Sequence, residues 1–134
     1  MQSYPHGEVA LVLDCLDLDR CADFWSAALG YRRAGGAEPY LSLVPDGGRA
    51  GVELLLQRVP EDKHGKNRLH LDLRTRDLAA EVERLRALGA RVLTPQPIVE
   101  GGWFWHVLAD PEGNELCVLQ PPAVRDGGSG AGGG

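Results

Sequence analysis

A chain of 134 residues has room for one domain or two very small modules sharing a core. Hydrophobic residues at 43% and charged residues at 25% exclude wholesale disorder. A net charge of −5, with no basic run longer than Arg32-Arg33, excludes a nucleic-acid-binding surface, which needs a concentrated positive field. The apolar runs fall far short of the roughly 20 residues that cross a bilayer, and the N-terminus lacks the basic and apolar regions of a secretory signal. Three cysteines, Cys15, Cys21 and Cys117, have no CxxC spacing. That pattern points to a reducing, cytoplasmic setting rather than a disulfide framework or a structural zinc site.

Glu8 to Asp14 is a short apolar run that reads as a buried strand. Asp17 then caps a helix over Leu18 to Leu29, whose Leu18, Cys21, Ala22, Trp25, Ala28 and Leu29 form one apolar stripe, and Gly30 stops it. Strands are predicted near Tyr31 to Arg33, Tyr40 to Val44 and Gly51 to Gln57, the last two joined by the turn Pro45-Asp46-Gly47-Gly48. The polar stretch 58–66 (RVPEDKHGK) reads as a linker.

The order then begins again. Arg68 to Arg74 alternates cleanly as a strand, Asp77 opens a helix over Leu78 to Leu88, and Gly89 closes it. A strand near Arg91 to Thr94, a loop from Pro95 to Gly102, and a hairpin of Trp103 to Ala109 with Glu115 to Gln120 follow. The repeat has an offset: Asp17 and Asp77 lie 60 apart, Gly30 and Gly89 lie 59 apart. The expected fold is therefore α+β, with two tandem βαβββ modules at 8–57 and 67–121 and a Gly-rich flexible tail at 122–134. Neither module is large enough to bury a core well alone. Two facing sheets would leave a cleft.

Leu16-Asp17-Leu18, Phe24-Trp25 and Leu29-Gly30 in the first module, Asn67 to Asp72 (NRLHLD) opening the second, and Ala109 to Leu119 (ADPEGNELCVL) carry a resemblance. In this order, on a βαβββ repeat, they resemble the vicinal oxygen chelate superfamily, the glyoxalase/bleomycin-resistance/dioxygenase group. The resemblance implies a cupped sheet around a small-molecule cavity and leaves the reaction open. It also implies four metal-ligand positions, two per module, which fall here on Ala10, Glu53, His70 and Cys117. Ala10 has no donor atom, and Cys117 is a soft thiol where the family pattern has a carboxylate. The expectation is a protein without a metal cofactor. Zinc or another divalent ion on Glu53, His70 and either Cys117 or Glu115 is the alternative.

Alternation along the strands places Asp14, Glu53, His70, Asp72 and Glu115 on the cleft face. A four-residue turn at Asp110 to Gly113 would add Phe104, His106 and Cys117, leaving Trp103 and Trp105 opposite; a one-residue bulge would reverse the hairpin's faces. The expected function is uptake of a small organic molecule, an antibiotic or aromatic metabolite, by a homodimer with neither nucleic-acid nor membrane partners. A metal-dependent lyase, isomerase or dioxygenase is one alternative. The other is a metal-free enzyme using His70 or His106, with Glu53 or Glu115, in acid–base work.

Overall fold

The computed structural model describes residues 9–123. The chain divides into two compact units, the first ending at Lys63 and the second beginning at His64. The expected strand start at Glu8 and the tail from Val124 onward lie outside the described residues. Among the described residues no helix is long and apolar enough to cross a membrane.

In the first unit, β1 (Ala10–Cys15), α1 (Leu18–Leu29), β2 (Tyr31–Arg33), β3 (Tyr40–Pro45) and β4 (Glu53–Arg58) follow in order, with a 3-10 turn over Asp46–Gly48. The sheet runs β1-β4-β3-β2, with β1 and β4 parallel and the other neighbours antiparallel. The Asp17 carboxylate accepts from the backbone N–H of Arg20 and starts α1. Gly30 ends it at φ 71°, and its carbonyl accepts a 2.6 Å hydrogen bond from Arg49. A Cβ on Gly30 would sit 2.7 Å from that guanidinium, which a flexible arginine can move aside, so it is the left-handed backbone that makes position 30 a glycine. Phe24 and Trp25, each 2% exposed, meet edge to face at 5.1 Å within the core.

In the second unit, β5 (Leu71–Arg74) and α2 (Leu78–Leu88) precede β6 (Arg91–Val92), β7 (Ile98–Glu100), β8 (Trp103–Ala109) and β9 (Glu115–Gln120). The sheet runs β5-β9-β8-β6, with β7 also on β8. The α+β class and the recurrence of strand, helix and strands are as expected, with βαβββ in the first unit and one additional strand in the second. Several local details differ.

Strand β5 begins at Leu71 rather than Arg68, because Asn67 and Glu115 clasp each other there. The Asn67 N–H donates to Glu115 Oε1 at 2.9 Å, and the Glu115 N–H donates to Asn67 Oδ1 at 3.2 Å. A side chain thus occupies the place of a ladder partner, and Leu69 is left 70% exposed instead of packing on a helix. The stretch predicted as a loop from Pro95 to Gly102 contains β7, which gives β8 an antiparallel partner. Strand β6 is shorter than predicted, with Leu93 adding one further bond to Val107. Arg58 belongs to β4 rather than to the linker.

The hairpin of β8 and β9 turns over five residues, Asp110 to Asn114, with Ala109 opposite Glu115 and His106 opposite Val118. Asp110 is 1% exposed and organises this turn. Its Oδ1 accepts from the N–H groups of Glu112 and Asn114 at 2.9 and 2.8 Å, and its Oδ2 accepts from the Asn114 amide at 3.1 Å. Removing the carboxylate leaves backbone donors unsatisfied beneath the surface, which costs about 2–3 kcal/mol. Asp110→Ala should lower the unfolding free energy by that amount in urea titrations, while Asp110→Asn, which keeps an acceptor oxygen, should lose less.

Candidate functional site

Each sheet has one face against its helix and one free of it. In the first unit Leu54 and Leu56 are buried on the helix side, so Glu53, Leu55 and Gln57 line the helix-free face. Their partners on β1 are Ala10, Val12 and Asp14, all exposed. The Glu53 carboxylate accepts a 2.5 Å hydrogen bond from the Ser42 hydroxyl.

In the second unit Leu116 and Val118 are fully buried toward α2, and Asp72 pairs with Cys117 on the helix-free face. His70, immediately before β5, lies beside them. Its Nε2 is 3.3 Å from Asp72 Oδ1, with both side chains more than 40% exposed. One donor atom each from His70, Asp72 and Cys117 lies within 4.8 Å of the other two. Cys117 is 9% exposed. Burial, followed by the nearby Asp72 carboxylate, pushes its thiol above the ordinary thiol range.

The five-residue turn settles the faces of β8. Phe104, His106 and Leu108 lie opposite Gln120, Val118 and Leu116, on the α2 side. The expectation that Phe104 and His106 share a face with Cys117 is thereby corrected: the extra turn residue reverses the parity of the strand. Both instead line a concavity of about 530 Å³ with Val82, Pro97 and Gln120 against α2, where His106 Nδ1 is 2.6 Å from the Thr94 hydroxyl. Trp103 and Trp105 take the helix-free face, and the Arg74 guanidinium lies 5.5 Å from the Trp103 ring. The signal in the sequence was Asn114, a residue able to bond back to Asp110 and lengthen the turn.

Register also tests the four metal positions. Leu11 pairs with Leu54 as Leu71 pairs with Leu116; the first strands keep the offset of 60 that separates Asp17 from Asp77, and the last strands are offset by 62. Ala10 is therefore the counterpart of His70, Val12 of Asp72, Glu53 of Glu115, and Leu55 of Cys117. Glu53 and Cys117 are not equivalent positions in the repeat. Glu115 is already engaged by Asn67. The counterparts of His70, Asp72 and Cys117 in the first unit are three apolar side chains. A hard divalent ion such as Mg²⁺ or Mn²⁺ prefers oxygen donors, and these residues do not fit one.

The thiolate is the reactive form of cysteine, so a raised Cys117 pKa means slow alkylation at neutral pH and a rate that climbs only above the ordinary thiol range. Mass-spectrometric mapping of iodoacetamide adducts on the folded protein should show this pH dependence at Cys117. Asp72→Asn, which removes a negative neighbour, should shift the rise to lower pH.

The family model for a glyoxalase-like domain matches residues 10–119. Among solved structures, a glyoxalase/bleomycin resistance protein/dioxygenase family enzyme from Burkholderia phytofirmans PsJN is 16% identical, with a TM-score of 0.68 over 83% of this chain and 95% of its own. A glyoxalase-related enzyme from Fulvimarina pelagi is 20% identical, with a TM-score of 0.65 over 91% and 95%. The genomically encoded fosfomycin resistance protein FosX from Listeria monocytogenes, solved as a point variant with Mn(II) and 1S,2S-dihydroxypropylphosphonic acid, is 14% identical, with a TM-score of 0.67 over 86% and 90%. No curated protein matches the sequence.

Proposed function

Since the chain belongs to the glyoxalase-like domain family, we propose that it takes up a small organic molecule, an aromatic metabolite or antibiotic, on the helix-free face of its second sheet. The observation that carries this is the grouping of Trp103, Trp105 and Arg74 on the same face as the His70–Asp72 pair. Indole rings offer a large apolar plane at low entropic cost, and Arg74 extends that surface with a charge. Asp72 supplies hydrogen-bond acceptors and His70 a donor or acceptor, which favours a planar ligand bearing polar hydrogens on one edge. FosX holds its organic ligand together with Mn(II); here the side chains themselves carry the binding, and no Mn²⁺ is required.

A second reading has its own observation. The His70 imidazole 3.3 Å from the Asp72 carboxylate is an arrangement suited to moving a proton, with Asp72 orienting the ring. In this reading the partner of His70 is Asp72, not Glu53 or Glu115, and His106 takes no part because Thr94 and α2 hold it on the other face. Homodimerisation through an edge strand belongs to the same proposal. A single mass of one chain by light scattering would remove it.

Tryptophan fluorescence titrated with a panel of aromatic antibiotics and metabolites, in the presence of a chelator, tests the ligand reading. At least one compound should quench the signal at micromolar concentration. Trp105→Ala should weaken it about tenfold, the scale of a lost aromatic stack together with its buried area. A panel that leaves the fluorescence of the native protein unchanged counts against the proposal. His70→Ala should leave most of the affinity and, under the second reading, abolish turnover of the bound compound.

A further inference from the structure

His70, Asp72 and Cys117 are an imidazole, a carboxylate and a thiol, a combination that zinc accepts and that Mg²⁺ and Mn²⁺ do not favour. Their geometry agrees with that chemistry. Zinc bonds of about 2.0 Å to nitrogen and oxygen give a tetrahedral edge of about 3.3 Å, and the His70 Nε2 to Asp72 Oδ1 distance is 3.3 Å. A zinc–sulfur bond of about 2.3 Å calls for sulfur edges of about 3.5 Å; the three donor atoms lie within 4.8 Å of one another, and rotation of the exposed His70 and Asp72 side chains would close the remaining distance.

The backbone already holds these donors. Asp72 and Cys117 are paired residues of a parallel ladder. His70 is two residues from Asp72, and the reciprocal Asn67–Glu115 hydrogen bonds fix the segment that delivers it. The exposed His70 and Asp72 side chains give an ion a way in and leave a coordination position open. All three donors belong to the second unit, and their counterparts Ala10, Val12 and Leu55 have no donor atom.

We propose that the second unit by itself binds one zinc ion through His70 Nε2, Asp72 Oδ1 and Cys117 Sγ, with the fourth position left to water or to a ligand. This departs from a four-residue site shared by two modules, since one module supplies every protein donor. Forming the zinc–sulfur bond breaks the S–H bond and releases that proton to solvent. The proposal does not rest on the organic-ligand reading, which is tested with chelator present, so either can fail alone.

The test uses the full chain with Co²⁺ and Zn²⁺ alone as probes. One equivalent of Co²⁺ should produce the near-ultraviolet charge-transfer band of a cobalt thiolate and the visible bands of a tetrahedral ion. One equivalent of Zn²⁺ should erase both, and a large excess of Mn²⁺ should not. Cys117→Ser and His70→Ala should abolish the thiolate band. Asp72→Asn should weaken zinc binding about tenfold or more, a loss seen even for groups that only support a ligand. Glu53→Gln should change nothing. Should Cys117→Ser fail to fold, His70→Ala, at an exposed position, decides the matter. The proposal is overturned by absence of the band in the native protein, by its survival in Cys117→Ser, or by its loss in a folded Glu53→Gln variant.

Discussion

The Asp110 carboxylate is a small group with a long reach. By accepting two backbone N–H groups and the Asn114 amide, it makes the turn between β8 and β9 five residues long. Strand side chains alternate, so the number of residues in that turn decides which face of the sheet each residue of β8 occupies. The two indoles, the Phe104 ring and the His106 imidazole are all sorted by it. The same turn places Leu108 against Leu116 in the core, so hydrophobic burial and site composition are fixed together.

Much of this is readable from composition and spacing. Asp17 and Asp77 announce their helices because a carboxylate at that position satisfies an otherwise free N–H, and Gly30 and Gly89 end them because the chain must turn left-handed there. Both helices run as predicted. The helix-free faces of β1, β4 and β5 follow from simple alternation, which places Asp14, Glu53 and Asp72 on them. What alternation does not carry is phase across a turn. The sequence at Asp110 to Gly113 looks like a four-residue turn until Asn114 is seen to bond back, and that single residue transfers Phe104 and His106 to the opposite face. The Asn67–Glu115 clasp was hidden for a related reason: its partners lie 48 residues apart, and no local pattern announces a side chain replacing a strand bond.

The two halves have kept a common frame and divided the chemistry. Offsets of 59 to 62 residues preserve caps and parallel pairs, yet His70, Asp72 and Cys117 stand where the other copy has Ala10, Val12 and Leu55. Packing demands act on the helix side of each sheet and hold leucines in place in both copies. The helix-free side is under no such demand, and there the positions of His70, Asp72 and Cys117 are polar in one copy and aliphatic in the other.

The clasp between Asn67 and Glu115 also acts as a mechanical anchor point. The chain passing from β4 toward β5 is fastened to β9 at Asn67, before it reaches His70. Residues upstream of that anchor can lengthen, shorten or shift without transmitting the change to the imidazole, because two hydrogen bonds absorb it first. A change of length before Asn67 therefore meets the anchor first, and His70, three residues beyond it, keeps its distance from Asp72.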